Sequence, residues 1–96
     1  MNIGVARIHL RLPENMSLKG KRGVLKSITG RVRSKYEVAV AEVDDNDAWQ
    51  RATIGLCCIS NDRRHSNQVI SKAVDFIING HFDVEVLDYE TEIIDL

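Results

Sequence analysis

No apolar run in this 96-residue chain approaches the roughly 18 to 20 residues that cross a bilayer. The opening segment, Met1 to Leu12, interleaves Arg7, His9 and Arg11 with its apolar side chains, so it is expected to be neither a secretory leader nor a membrane anchor. Cysteine is scarce. Cys57 and Cys58 are adjacent within an apolar run, and neighbours on a strand point to opposite faces, so the two do not bridge each other. A thiol-keeping cytoplasm, and no membrane partner, is the expectation. The residue patterns of common active sites are also missing: there is no HExxH, no CxxC pair, no glycine-rich phosphate loop after a strand and no GxSxG. His9, His65 and His81 fall on different segments, and Asp44, Asp45 and Asp47 lack the central glycine and twelfth-position glutamate of a calcium loop. The chain therefore reads as non-enzymatic, with no catalytic residue, cofactor or metal ligand assigned.

Acids are nearly absent from the first third. Between Arg7 and Lys35 stand nine basic residues against the single acid Glu14. From Glu37 onward the balance reverses, with thirteen acids against Arg51, Arg63, Arg64 and Lys72. A net charge of −1 hides this segregation, which means either an anionic partner or two halves that neutralise each other on folding.

What is present is ordinary for a folded domain. Apolar residues at 44% and charged residues at 28% exclude disorder, and the length sets a single domain spanning residues 1–96. Gly4, Ala6, Ile8, Leu10 and Leu12 alternate with Ile3, Val5, Arg7, His9 and Arg11, a strand with one core face that Pro13 ends. Ser17 then caps a helix whose buried face is Leu18, Val24, Leu25, Ile28 and Val32 and which closes near Lys35. Residues 37–43 and 51–59 read as a hairpin around the acidic loop 44–47. Ser60, Asn61 and Asp62 supply capping side chains for a second helix carrying Val69, Ile70, Ala73, Val74 and Ile77, Gly80 stops it, and a last strand runs from Phe82 to about Glu90. Two strand-helix-strand units interleave by right-handed crossovers into an α+β, ferredoxin-like split βαβ fold (βαββαβ): a four-stranded antiparallel sheet with both helices on one face. The first helix's start, the 44–50 loop and the 79–81 turn then share one edge. That helix's end, the second helix's start and the acidic carboxyl tail share the other.

Several blocks stand in a distinctive order: Ser17-Leu18-Lys19 with Lys21-Arg22, Ala41-Glu42-Val43-Asp44 with Asp47, Trp49-Gln50-Arg51-Ala52, and Ser60-Asn61-Asp62-Arg63 with His65. In these the chain resembles the YlxP-like proteins, a bacterial domain family of unknown function, nearly end to end. The resemblance implies the ferredoxin-like fold, a gene often found near those for translation initiation and ribosome maturation, and no established catalytic residues. That locality, together with the basic surfaces read from the residues, makes RNA or a ribosomal subunit an expected partner. The chain departs from the family pattern at Gly20 and Gly23, where larger helix formers are expected.

Three surfaces are candidate sites. Lys19, Arg22, Lys26 and Arg33 fall on one stripe of the first helix at about 100° per residue, a basic ridge that either contacts RNA phosphates or meets the acidic loop. Arg31, Arg33 and Lys35 at that helix's end, with Arg63, Arg64 and His65 at the second helix's start, form a basic edge. Cations at a helix start are unfavourable without an anion, which is either a bound phosphate or the internal acids Asp62, Glu90, Glu92 and Asp95. Trp49 and Arg51 form a loop anchor, the indole packing the loop against the first helix's start; the alternative makes Trp49 a recognition residue. The open sheet face presents Arg7, His9 and Arg11 beside Thr53 and Cys57, with no aromatic platform for stacking RNA bases. The same face, with Ile3 and Val5, is the candidate interface of a homodimer. Two functions follow: a small RNA-phosphate binder acting near translation, or a homo-oligomeric interaction module without nucleic acid.

Overall fold

Alternation in the first strand and 3.6-residue periodicity in the helices produce the expected order in the structure, a computed structural model describing residues 1–96: β1 (Asn2–Arg11), α1 (Leu18–Lys35), β2 (Ala39–Asp44), β3 (Arg51–Ser60), α2 (Arg63–Asn79) and β4 (Glu85–Asp95). The sheet runs β2-β3-β1-β4 with every neighbour antiparallel. The fold is the ferredoxin-like α+β arrangement. Period-two alternation places Ala6, Ile8 and Leu10 of β1 and Ala52, Ile54 and Leu56 of β3 under the helices. Onto them pack Leu25, Ile28 and Val32 of α1 and Ile70, Ala73, Val74 and Ile77 of α2. Cys58 belongs to this core while Cys57 sits half-buried on the opposite face, both as free thiols.

Ser17 caps α1 by accepting from the Gly20 amide at 2.9 Å, and Asp62 caps α2 by accepting from the Arg64 amide at 3.0 Å. At Gly80 the chain leaves α2 without a left-handed turn; a side chain there would strike the Phe82 ring and the Phe76 carbonyl. Phe76 stands edge-on between Tyr36 and Phe82, with ring centroids 5.8 and 6.0 Å away, closing the seam between the helices.

The last strand departs from expectation. It begins at Glu85 and continues through Asp95, because Thr91 to Asp95 pair with Asn2 to Ala6 and so use the whole length of β1. The acids that read as a tail are strand residues with side chains in solvent, as an edge strand tolerates. A bulge at Leu87 absorbs the change of register between His9 and Leu10.

Two glycines generate opposite predictions. A methyl at Gly4 would lie 2.8 Å from Ile70 Cγ1 and 3.3 Å from the Ser66 carbonyl, so this glycine sets how closely α2 approaches β1. A methyl at Gly23 would meet nothing within 4 Å. In urea denaturation, Gly4→Ala is expected to lower stability by about 1 to 3 kcal/mol. Gly23→Ala is expected to raise it by about 0.5 to 1 kcal/mol through helix propensity.

Candidate functional site

The residues of α1 explain why its outer face is cationic. Between Leu18 and Lys35 the helix contains seven basic residues and no acid. Lys21 is the one that turns inward. It shares the core stripe with Leu25, Ile28 and Val32, and its side chain is 1% exposed. Its Nζ lies 2.8, 3.3 and 3.2 Å from the carbonyl oxygens of Asp45, Asn46 and Arg51, and 2.9 Å from Glu42 Oε2. Four oxygens share three ammonium protons, so buried Glu42 Oε2 receives no aligned hydrogen bond and is held by charge. The carbonyls come from the β2–β3 connection, where Asp45 takes a left-handed backbone (φ 61°) that aspartate tolerates better than most residues.

This arrangement revises the loop anchor. Trp49 is 52% exposed and lies outside the hydrophobic cluster. The bonds that fasten the loop are polar. Asn15 Nδ2 donates to both the Ser17 and Trp49 carbonyls at 2.6 Å, Gln50 Nε2 donates to the Asn15 carbonyl at 3.1 Å, and the Leu12 amide donates to the Gln50 carbonyl at 3.0 Å. Arg51 contributes its carbonyl to Lys21, while its side chain lies in solvent. Sequence reading missed Lys21 as an anchor because it counted only apolar residues in the core stripe; a lysine four residues before Leu25 was the available signal.

Of the ridge, Lys19, Arg22 and Lys26 are exposed and enter none of the five ion pairs of the fold. Arg33 donates to the Val40 carbonyl of β2 at 2.8 Å, which places the far end of the ridge along that strand. The acidic loop reaches Lys21 alone among the cations of α1.

The basic edge is divided. Lys35 Nζ stands 4.9 Å from the Phe76 ring centroid and the Arg31 guanidinium 5.5 Å from that of Phe82, so the end of α1 lies beside the later half of α2. Phe76 is thirteen residues beyond Arg63, about 20 Å at the rise of an α-helix. The two clusters are not brought together, because α1 ends partway along the sheet: β2 begins opposite Cys57, short of the end of β3 at Ser60. Arg63 is paired with Asp95 at 2.6 Å, the internal outcome for that residue, whereas Arg64 and His65 are exposed and outside the ion pairs.

On the open sheet face, neutralisation is more complete. Arg7 and His9 meet Glu90 at 3.8 and 2.9 Å, and Arg11 meets Glu85 at 3.6 Å. Thr53, His9 and Glu90 also form a hydroxyl–imidazole–carboxylate series, with Thr53 Oγ1 3.3 Å from His9 Nδ1. A nucleophile requires access. Thr53 is 1% exposed and its hydroxyl donates to Asp45 Oδ2 at 3.1 Å, so the series ties the 44–50 connection to the sheet. No three His, Cys, Asp or Glu side chains converge to hold a metal.

Lys21→Met is expected to destabilise the fold by about 3 kcal/mol, since it leaves a largely buried carboxylate without its cation. Lys21→Met combined with Glu42→Leu is expected to recover part of the loss. Urea unfolding of the two single variants and the double variant measures the coupling.

Comparison with known proteins adds a family. A solved structure, the solution structure of SecDF periplasmic domain P4, covers 93% of this chain and 87% of its own at 17% identity, and its TM-score of 0.36 carries no structural argument. "Uncharacterized protein YlxP" of Bacillus subtilis (strain 168) is 35% identical over 75 residues, covering 78% of this chain and 82% of the relative. The model of the family described as "Protein of unknown function (DUF503)" matches residues 3–91. With β1 through most of β4 inside that match, the chain belongs to the DUF503 family.

Proposed function

We propose that this protein is a small, non-enzymatic, cytoplasmic binder of RNA phosphates, acting near the translation apparatus through the outer face of α1. One observation carries the reading: folding pairs Arg7 and Arg11 of the sheet face with β4 acids but leaves Lys19, Arg22 and Lys26 of α1 without a carboxylate. Unpaired surface cations on a rigid helix attract a polyanion and release its counterions. The family resemblance, with its translation-related gene neighbours, puts RNA first among cellular polyanions.

A second reading has its own support. On the open face, Val5, Ala39, Ala41, Val43, Gly55 and Cys57 line a shallow, largely apolar hollow of about 410 Å³. Nearby Ile59 is 68% exposed. A second copy of the chain covering this surface would make the protein a homo-oligomeric module, which sedimentation across a concentration series detects.

For the leading reading, fluorescence anisotropy with labelled single-stranded RNA should show log affinity falling linearly with log salt. The triple variant Lys19→Ala, Arg22→Ala, Lys26→Ala is expected to reduce that slope by about 2, at about 0.7 per phosphate contact on a single strand. A slope unchanged by the triple variant would remove the ridge as the binding surface.

A further inference from the structure

The indole of Trp49 poses a separate question. It is the only tryptophan in the chain, and it stands 52% exposed on a connection whose backbone is fixed on both sides. Asn15 holds the Trp49 carbonyl, Leu12 the Gln50 carbonyl and Lys21 the Arg51 carbonyl. An indole that served the core would be turned inward, because burial of its large apolar surface is favourable. Here a polar scaffold does the fastening and the ring is displayed. Its location is specific. The Asn15 amide that binds the Trp49 carbonyl also binds the Ser17 carbonyl, so the Trp49 backbone adjoins the first turn of α1, where Lys19 and Arg22 begin the unpaired ridge.

An exposed aromatic whose backbone is held at the head of a cationic track combines the two elements that hold unpaired nucleic acid: a surface for a base and charges for the backbone. In a duplex the base faces are occupied by their neighbours, so an exposed indole has no flat partner there. Every base has a π-face, so such a contact tolerates sequence. Resting on the phosphate-binding reading of α1, we infer that Trp49 stacks on an unpaired base of single-stranded RNA whose phosphates lie along Lys19, Arg22 and Lys26. The sheet face, where related folds stack bases, has no part in it, because its outward positions carry ion pairs and aliphatic residues but no Phe, Trp or Tyr.

Because Trp49 is the sole tryptophan, its emission reports on itself. The whole chain is titrated at low salt with a single-stranded RNA of unstructured mixed sequence, a duplex RNA of equal length and inorganic polyphosphate. Single-stranded RNA is expected to quench the emission, and the other two to bind without quenching. Trp49→Ala is expected to weaken single-strand binding by about fivefold or more, leave polyphosphate binding unchanged and keep the fold by circular dichroism, while Trp49→Phe retains most of the affinity. Single-strand binding with no quenching and full affinity in Trp49→Ala would overturn the stacking assignment and leave the ridge reading standing. Wild-type protein that binds neither RNA nor polyphosphate at low salt would overturn both.

Discussion

An ammonium group taken out of water must find oxygen on all sides, or its desolvation exceeds any gain from burial. Lys21 satisfies that demand by drawing four oxygens from three places: Glu42 of β2, the Asp45–Asn46 turn and the first residue of β3. Its methylene stem lies along the apolar stripe of α1, so one side chain serves both core and turn. Asp45 answers from the other side. Its left-handed backbone turns the carbonyl to Lys21 while its carboxylate reaches Thr53 beneath the sheet's outer surface. Helix, hairpin and sheet thus meet at a single cation, and the Asn15 and Gln50 bonds beside it hold the Trp49 backbone against the start of α1.

The charge asymmetry of the sequence becomes a division of surfaces. Cations and acids that are distant along the chain become neighbours wherever β1 lies against β4. Such exposed pairs contribute little stability, and their effect is to leave that face electrically quiet. Helix α1 lies beside β2, but of its basic residues only Lys21 meets a β2 carboxylate, that of Glu42; the others are exposed and outside the ion pairs. The asymmetry is not erased by folding but concentrated on one helix.

Much of this was legible in the residues. The alternation of β1, the Ser17 and Asp62 caps and the apolar stripes of both helices specify the βαββαβ order, because each rests on a short-range periodicity. What was not legible depended on long-range register. The continuation of β4 past Glu90 is visible only once β1 is known to pair over its full length. The separation of Arg31 and Lys35 from Arg63 depends on where β2 starts against β3, which no local pattern encodes. Lys21 was obscured by its residue type: a lysine is ordinarily solvated, and only its oxygen cage reverses that expectation.

The length of β4 has a further consequence. It is an outermost strand of eleven residues, whose unused backbone donors and acceptors form a template on which another chain could extend the sheet. Yet Glu85, Asp88, Glu90, Glu92 and Asp95 punctuate that strand. A second β4 laid against it would crowd carboxylate upon carboxylate, and like charges opposed across a ladder repel. The acidity that quiets the basic sheet face therefore also guards the molecule's longest open border against polymerisation.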